Sequence, residues 1–207
     1  MKRLIIQTYI KDKVNRTHKF TYKSYPKLEQ ASRRHFRGYA EMVGADYEYF
    51  TDAADFEHGD EAHWQRWEMF NRPEYDEILY VDCDVLIHPT VFMSERNIFD
   101  ERGEGVPVFH QNSKSRIGWT GGINCGVMKL TAEQCAALKD KIHDYYHPHV
   151  NQAAFNNCFR DTLGMFTWYL DMGWNTTHFP VRETLFRHYP GHLKNVYEKE
   201  KLHGFKP

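Results

Sequence analysis

The segment ILYVDCDVLI, residues 78–87, places two aspartates, Asp82 and Asp84, at the end of an otherwise apolar run. Such a run, rich in β-branched residues, is typical of a buried β-strand. Residues two apart in a strand face the same side at about 6.6 Å. Both carboxylates would then approach one cation, with Cys83 pointing into the apolar layer. Hard oxygen ligands favour Mg²⁺ or Mn²⁺ over Zn²⁺. The pair predicts a metal site, and the alternative is two surface acids that pair with Arg or Lys.

Strand-like and helical segments alternate along the chain, which predicts an α/β fold with a mixed, mainly parallel sheet flanked by helices. The predicted strands are RLIIQTY (3–9), DYEYF (46–50), EILYVDC (77–83), GVPVFH (105–110) and NCGVMKL (124–130). Helices are expected over 28–43, over 62–70, from the N-cap Thr131 to 142, and from Asn151 onward. Ligands of open α/β sheets bind beyond the carboxyl ends of strands, where the two aspartates lie.

Composition narrows the class of protein. The 207 residues carry 27 Lys and Arg against 28 Asp and Glu, so no overall positive field favours nucleic acid or an anionic membrane. No apolar stretch approaches the length of a transmembrane helix or a signal peptide. The four cysteines show no metal-ligand spacing, and a domain of this size does not need disulfides. We expect one domain over residues 1–207, in a reducing, cytoplasmic setting.

Four segments together resemble one family. YDEILYVDCDVLI (75–87) resembles the DxD segment of GT-A fold, nucleotide-sugar-dependent glycosyltransferases, particularly the family 8 and glycogenin-like group. INCGVMKL (123–130) is similar to the family's Asn-x-Gly-Val strand, and NQAAFN (151–156) to its Asp-Gln-x-x-x-Asn helix start. His188, Gly191 and Lys194 reproduce its His-x-x-Gly-x-x-Lys spacing. The resemblance extends over residues 66–194 and implies a GT-A, Rossmann-like single domain.

The resemblance also implies roles around a nucleotide. Asp82, Asp84 and His188 would bind the Mn²⁺ or Mg²⁺ ion that grips the donor's diphosphate. Six further residues would contact the nucleotide and its diphosphate. Two lie at the end of the first strand, one is an Arg at the position of the family's usual Lys, one lies between the aspartates and two belong to the last motif. In that order they are Thr8, Tyr9, Arg66, Cys83, Gly191 and Lys194.

The side of the donor sugar and acceptor is less completely matched. Asn124, Asn151 and Gln152 would line it, and Asn151 and Gln152 join the two aspartates as the predicted catalytic group. Asn151 replaces an Asp that the family usually carries. Trp174 and Asn175, in a loop-like context, are candidates for an acceptor wall. The glycine-rich stretch 118–126 lacks P-loop and Rossmann spacing. It predicts a mobile loop over the donor, with simple turn formation as the default alternative.

The implied reaction is metal-dependent transfer of a hexose from a nucleoside-diphosphate sugar, expected to be a UDP-sugar, to a hydroxyl of a glycan, glycolipid or protein, with retention. Two alternatives remain open. A haloacid dehalogenase-type phosphatase would use Asp82 as nucleophile and Asp84 as acid, although its motif normally lies on the first strand. A non-catalytic nucleotide-sugar or glycan binding module is the other alternative, and Asn151 is the residue that favours it.

Overall fold

A five-stranded sheet forms the centre of the computed structural model, which describes residues 1–9, 25–51, 62–111, 117–145, 151–164, 169–177, 183–190, 193, 196 and 200. In chain order the strands are β1 (Arg3–Thr8), β2 (Asp46–Phe50), β3 (Glu77–Val81), β4 (Val85–Ile87), β5 (Gly105–Gln111), β6 (Ile117–Thr131) and β7 (Phe186–His188). The central sheet has the order β2-β1-β3-β6-β5, while β4 and β7 form a separate antiparallel pair.

Strand directions confirm the predicted mixed, mainly parallel sheet. β1 pairs in parallel with both β2 and β3, and β6 runs antiparallel to β3 and to β5. Four of the five strands therefore point the same way, and only β6 is reversed. The carboxyl ends of β1 and β3 consequently meet at one edge, where the chain continues into Asp82.

Four α-helices accompany the sheet in the described residues: α1 (Pro26–Val43), α2 (Pro89–Met93), α3 (Ala132–Lys139) and α4 (Asn151–Leu163). α1 ends where Gly44 adopts a left-handed conformation with φ of 65°, as the sequence predicts. Thr131 caps α3, and its side chain and that of Gln134 form a reciprocal capping box. No helix in the described part of the chain is both long and apolar enough to cross a membrane.

Both faces of the sheet are buried, as is typical of mainly parallel sheets covered by helices. On one face, α3, α4 and a 3₁₀ helix (Ala62–Asn71) cover β1, β3 and β6, with Phe70 and Phe155 among the buried residues. On the other face, α1 and the β4–β7 pair supply Phe36 and Phe186 to a second cluster. Phe36, Phe70 and Phe155, which recur at helical spacing in the sequence, are all buried.

Three element predictions are wrong in detail. The segment predicted as a second α-helix is the 3₁₀ helix, and the helix after Thr131 ends at Lys139, with a separate 3₁₀ turn at Ile142–Tyr145. The stretch 118–126, expected to be a mobile loop, lies inside β6. Register shifts between Gly105 and Phe109 let β5 pair with this glycine-rich strand, so the glycines accommodate irregular pairing.

Candidate metal and diphosphate site

The two aspartates lie in a turn and not in a strand. β3 ends at Val81, β4 begins at Val85, and the Val85 N–H donates to the Asp82 carbonyl at 3.2 Å. The prediction that strand geometry aligns the two carboxylates is therefore wrong. The thiol of Cys83, half-buried, donates to the Thr8 carbonyl at 3.1 Å instead of entering the apolar layer. The turn is thereby joined to the end of β1.

His188 reaches the turn through the β4–β7 pair. Val85 faces His188 in the register of this pair, and the Tyr189 N–H donates to the Asp84 carbonyl at 2.9 Å. Nε2 of His188 lies 3.2 Å from Asp84 Oδ1 and 3.9 Å from Asp82 Oδ2. Residues more than 100 positions apart in the chain are thus brought together at the carboxyl end of β3.

These three side chains fit a hard divalent cation. One ligand atom from each of Asp82, Asp84 and His188 lies within 4.8 Å of the other two. Octahedral ligands about 2.1 Å from an ion are about 3 Å apart when adjacent and about 4 Å apart when opposite, and the two measured separations fall in this range. Carboxylates this close repel each other without a compensating charge. Two carboxylate oxygens and one imidazole nitrogen could therefore hold Mg²⁺ or Mn²⁺.

Arg66 is committed to one of these carboxylates. Its Nη2 donates to Asp82 Oδ1 at 3.3 Å, and its side chain is only 7% exposed. Burial lowers the pKa of the guanidinium, but Asp82, with smaller contributions from Tyr80 and Cys125, raises it by more, so the net pKa lies above its ordinary value. The Tyr80 and Phe155 rings lie 5.5 and 5.7 Å from the guanidinium carbon. Arg66 is thus placed to hold Asp82. The sequence had predicted only a phosphate contact for Arg66.

Tyr80 also belongs to the site, although no sequence motif indicated it. Its hydroxyl donates to Asp82 Oδ1 at 2.9 Å and lies 3.2 Å from the Thr8 hydroxyl. Because a carboxylate only accepts, Tyr80 donates to Asp82 and Thr8 donates to Tyr80. Burial and then the Asp82 charge raise the pKa of Tyr80 well above its usual value, so the hydroxyl stays protonated. Tyr80 lies two residues before Asp82, and this spacing could have indicated a contact between them. The surrounding apolar run indicated only a core residue.

Strand β6 brings the predicted sugar-side residues to the same edge. The Gly126 carbonyl accepts from the Asp82 N–H at 2.9 Å, and the Asn124 side chain accepts from the Gly126 N–H at 2.9 Å. Gln152 Oε1, from the first turn of α4, accepts from the Cys125 N–H at 3.4 Å. Asn156 also anchors α4, because its amide bonds both the N–H and the carbonyl of Ile123.

Three of the remaining predicted residues lie in the described structure, and three others lie wholly or in part outside it. Trp174 is fully buried and packs edge-on against Phe186, which is at odds with an exposed acceptor wall. Asn175 is also buried and contacts His188 instead of solvent. Tyr9 follows β1 and its N–H bonds the Phe50 carbonyl. Asn151 begins α4, but its side chain lies outside the described residues, as do Gly191 and Lys194.

Comparison with solved structures shows the fold. A glycosyltransferase involved in glycosylation of the major capsid of PBCV-1 matches with a TM-score of 0.59 and 14% identity, over 99% of this chain and 100% of that chain. GlyE, a glycosyltransferase from Streptococcus pneumoniae TIGR4, matches with a TM-score of 0.55 and 14% identity, over 96% of this chain but only 60% of GlyE. An active-site mutant of LgtC matches with a TM-score of 0.51 and 10% identity, over 96% and 93% of the two chains.

These likenesses confirm the predicted fold class: the chain has the GT-A fold of glycosyltransferases. No protein-family model matches the sequence, and no curated protein matches it in a sequence comparison.

Proposed function

We propose that the protein is a metal-dependent glycosyltransferase of the family 8 or glycogenin-like type, which moves a hexose from a nucleoside-diphosphate sugar to an acceptor hydroxyl. The observation that carries this proposal is the convergence of Asp82, Asp84 and His188 at the carboxyl edge of parallel strands in a GT-A fold. That edge is where such sheets bind ligands. The three side chains would hold Mn²⁺ or Mg²⁺ beside the diphosphate of the donor.

A bound divalent ion supplies charge stabilisation for the departing diphosphate. The protein's task is to hold that ion and the donor in place. Tyr80 and Arg66 fix Asp82 through three donor contacts, which leaves the carboxylate oriented toward Asp84 and His188. Each well-placed electrostatic contact to the developing charge is worth about 3 kcal/mol of barrier. We assign Lys194 and Gly191 to the diphosphate from their motif alone.

The base and ribose of the donor are assigned to the end of β1. Thr8 and Tyr9 lie at the same sheet edge as Asp82, and Cys83 ties the turn to Thr8. A phosphate contact from Arg66 is less favoured than in the sequence-based hypothesis, because its guanidinium is buried against Asp82. Uridine is the proposed base.

The sugar and acceptor side is assigned to Asn124, Asn151 and Gln152. Gln152 Oε1 accepts a backbone hydrogen bond, so Nε2 is the atom that donates to a sugar hydroxyl. We propose retention from the family resemblance. Because Asn151 stands where the family usually carries an Asp, the sequence offers no matched carboxylate nucleophile, and we propose attack on the same face from which the diphosphate leaves. The acceptor is a glycan, a glycolipid or a protein.

Two other functions are less well supported. In a phosphatase, Asp82 would attack phosphorus, but here both of its oxygens are engaged by Arg66 and Tyr80 donates to one of them. The motif also follows the third strand and not the first. A binding module without turnover would keep the same site, and only measured turnover separates it from the enzyme.

The proposed setting is one domain over residues 1–207 in the cytoplasm. The four cysteines, which all lie in the described part of the chain, form no disulfide with one another, which fits a reducing compartment. Burial raises the pKa of Cys125 to about 11, so this thiol stays protonated and unreactive.

Turnover is tested by incubating the protein with UDP- and GDP-sugars, Mn²⁺ and a mixture of sugar acceptors, and measuring release of the nucleoside diphosphate. We expect release that EDTA abolishes and that Asp84→Asn abolishes. Asp100→Asn is the matched control, because Asp100 is an exposed carboxylate that contacts Arg3 away from the site. Release of inorganic phosphate from a sugar phosphate, with no nucleotide sugar consumed, would favour the phosphatase instead.

A further inference from the structure

A chain of hydrogen bonds leads from the backbone N–H of Gly126 to Nδ1 of His188. The Gly126 N–H can only donate, and it donates to Oδ1 of Asn124 at 2.9 Å. The Asn175 side chain also lies against Asn124 Oδ1, at 3.1 Å through its Nδ2. Because Asn124 presents an oxygen to both partners, Asn175 must contribute its NH₂ group there.

The orientation of Asn175 then decides the chemistry of the histidine. With Nδ2 turned to Asn124, its Oδ1 faces Nδ1 of His188 at 2.9 Å. An amide oxygen only accepts, so Nδ1 of His188 carries the hydrogen. In the neutral ring the lone pair is then on Nε2, the nitrogen that faces Asp84 and Asp82.

We infer that Asn175, oriented through Asn124 by the Gly126 amide, is a positioning residue that fixes His188 as the Nδ1–H tautomer with Nε2 as the metal-binding atom. Its burial supports this role. Asn175 is 4% exposed and His188 is 3% exposed, so water does not readily replace either partner. Ligating histidines commonly donate their second N–H to such a partner, and loss of that partner lowers metal affinity about 10- to 100-fold.

Asn175 is therefore moved from the acceptor side, where sequence context placed it, to a position behind the metal ligand. Its neighbour Trp174 explains how it is held there. The Trp174 ring is fully buried against Phe186 of β7, two residues before His188, and the His188 N–H donates to the Thr176 carbonyl at 2.9 Å. The short 3₁₀ helix Met172–Asn175 is thus packed against the strand that carries the histidine.

The inference rests on the proposed metal site, and two nearly isosteric variants test it. Asn175→Leu removes the acceptor for Nδ1–H, while Asn175→Asp keeps an oxygen in that place. Titration of Mn²⁺ followed by electron paramagnetic resonance should show at least about tenfold weaker binding in Asn175→Leu and near wild-type or tighter binding in Asn175→Asp. Equal Mn²⁺ affinity in wild type and Asn175→Leu overturns the inference.

A second measurement needs neither metal nor a folded Leu variant. Nitrogen-15 NMR of the metal-free wild type, with the His188 signal assigned from its loss in His188→Gln, reports which ring nitrogen is protonated. We expect Nδ1 to carry a proton. A ring whose only proton is on Nε2 overturns the inference. If the wild type shows the expected tautomer but binds no Mn²⁺, the proposed metal function fails and the assignment of Asn175 as the partner of His188 stands.

Discussion

The ring of His188 occupies the space that a side chain at Gly126 would need: a Cβ built on Gly126 would lie 2.3 Å from Cε1 of His188. The same glycine accepts the Asp82 N–H through its carbonyl. Gly126 therefore touches two of the three proposed metal ligands, and its contact with His188 requires that it have no side chain. This is a packing reason for a glycine in the segment Asn124 to Val127, and it does not depend on a special backbone angle.

Gly126→Ala should displace the His188 ring. We expect the free energy of unfolding to fall by about 1 to 3 kcal/mol through overpacking, and Mn²⁺ affinity to fall about tenfold or more because one ligand moves. Urea unfolding and Mn²⁺ titration measure the two effects. Val127→Ala is the matched control, because Val127 is buried on the opposite face of β6 in the second core cluster. It should lose about 2 kcal/mol of stability with unchanged Mn²⁺ affinity, and equal Mn²⁺ affinities in both variants would contradict this reading of Gly126.

Removal of the Arg66 charge should destabilise the fold. Arg66→Met leaves Asp82 beside a buried apolar side chain, with Tyr80 as the remaining side-chain donor to it among the described residues. We expect the free energy of unfolding to fall by about 2 kcal/mol, less than for a fully buried pair because the Asp82 side chain is 23% exposed. A double-mutant cycle with Asp82→Asn should give a coupling of about 1 kcal/mol or more. Strictly additive effects would show that the pair does not interact.

The Tyr80 hydroxyl should matter to metal binding as well as to stability. Tyr80→Phe removes the donor to Asp82 and should cost about 1.5 kcal/mol of stability, with weaker Mn²⁺ binding because Asp82 loses one restraint. Tyr75→Phe is the matched control, since the Tyr75 hydroxyl donates to Asp46, outside the site. Calorimetric titration of Mn²⁺ separates the two variants. If Tyr75→Phe lost Mn²⁺ affinity and Tyr80→Phe kept it, the assigned role of the Tyr80 hydroxyl would be contradicted.

The Arg187–Glu200 pair should make stability depend on pH. Arg187 donates to both Glu200 oxygens, at 2.8 and 2.9 Å, and this contact lowers the Glu200 pKa in the folded protein. A lowered folded-state pKa gives stabilisation that is complete above the unfolded pKa of about 4.3 and is lost as pH falls through the folded value. Glu200→Gln should therefore cost about 1 kcal/mol at pH 7 and progressively less below pH 4. A difference from wild type that stays constant from pH 7 to pH 3 would contradict this assignment.

Local patterns predicted the frame of the site. Strand-like runs identified β1, β2 and β3, and Gly44 and Thr131 marked the end of α1 and the start of α3. These features depend on residues that are close in sequence, and they can therefore be predicted from the sequence. The convergence of Asp82, Asp84 and His188 was predicted from a motif resemblance and not from local pattern, and the structure brings the three together.

What the sequence did not predict arises from tertiary contacts. The DCD segment reads as strand, but Cys83 bonds Thr8 and the chain turns there. Asn175 reads as an exposed loop residue because nothing local shows that β7 packs over it. Arg66 was predicted as a phosphate contact, because its burial beside Asp82 depends on a turn 16 residues further along the chain. In each case the deciding partner is distant in sequence.

The central claim is that Asp82, Asp84 and His188 hold the ion that binds a nucleoside diphosphate. Calorimetric titration of UDP into the protein, with Mn²⁺ and then with EDTA, tests it most directly, with Asp84→Asn and Asp100→Asn in parallel. We predict saturable UDP binding that requires Mn²⁺, is lost in Asp84→Asn and is retained in Asp100→Asn. UDP binding of equal strength in EDTA, or in Asp84→Asn, would contradict the claim.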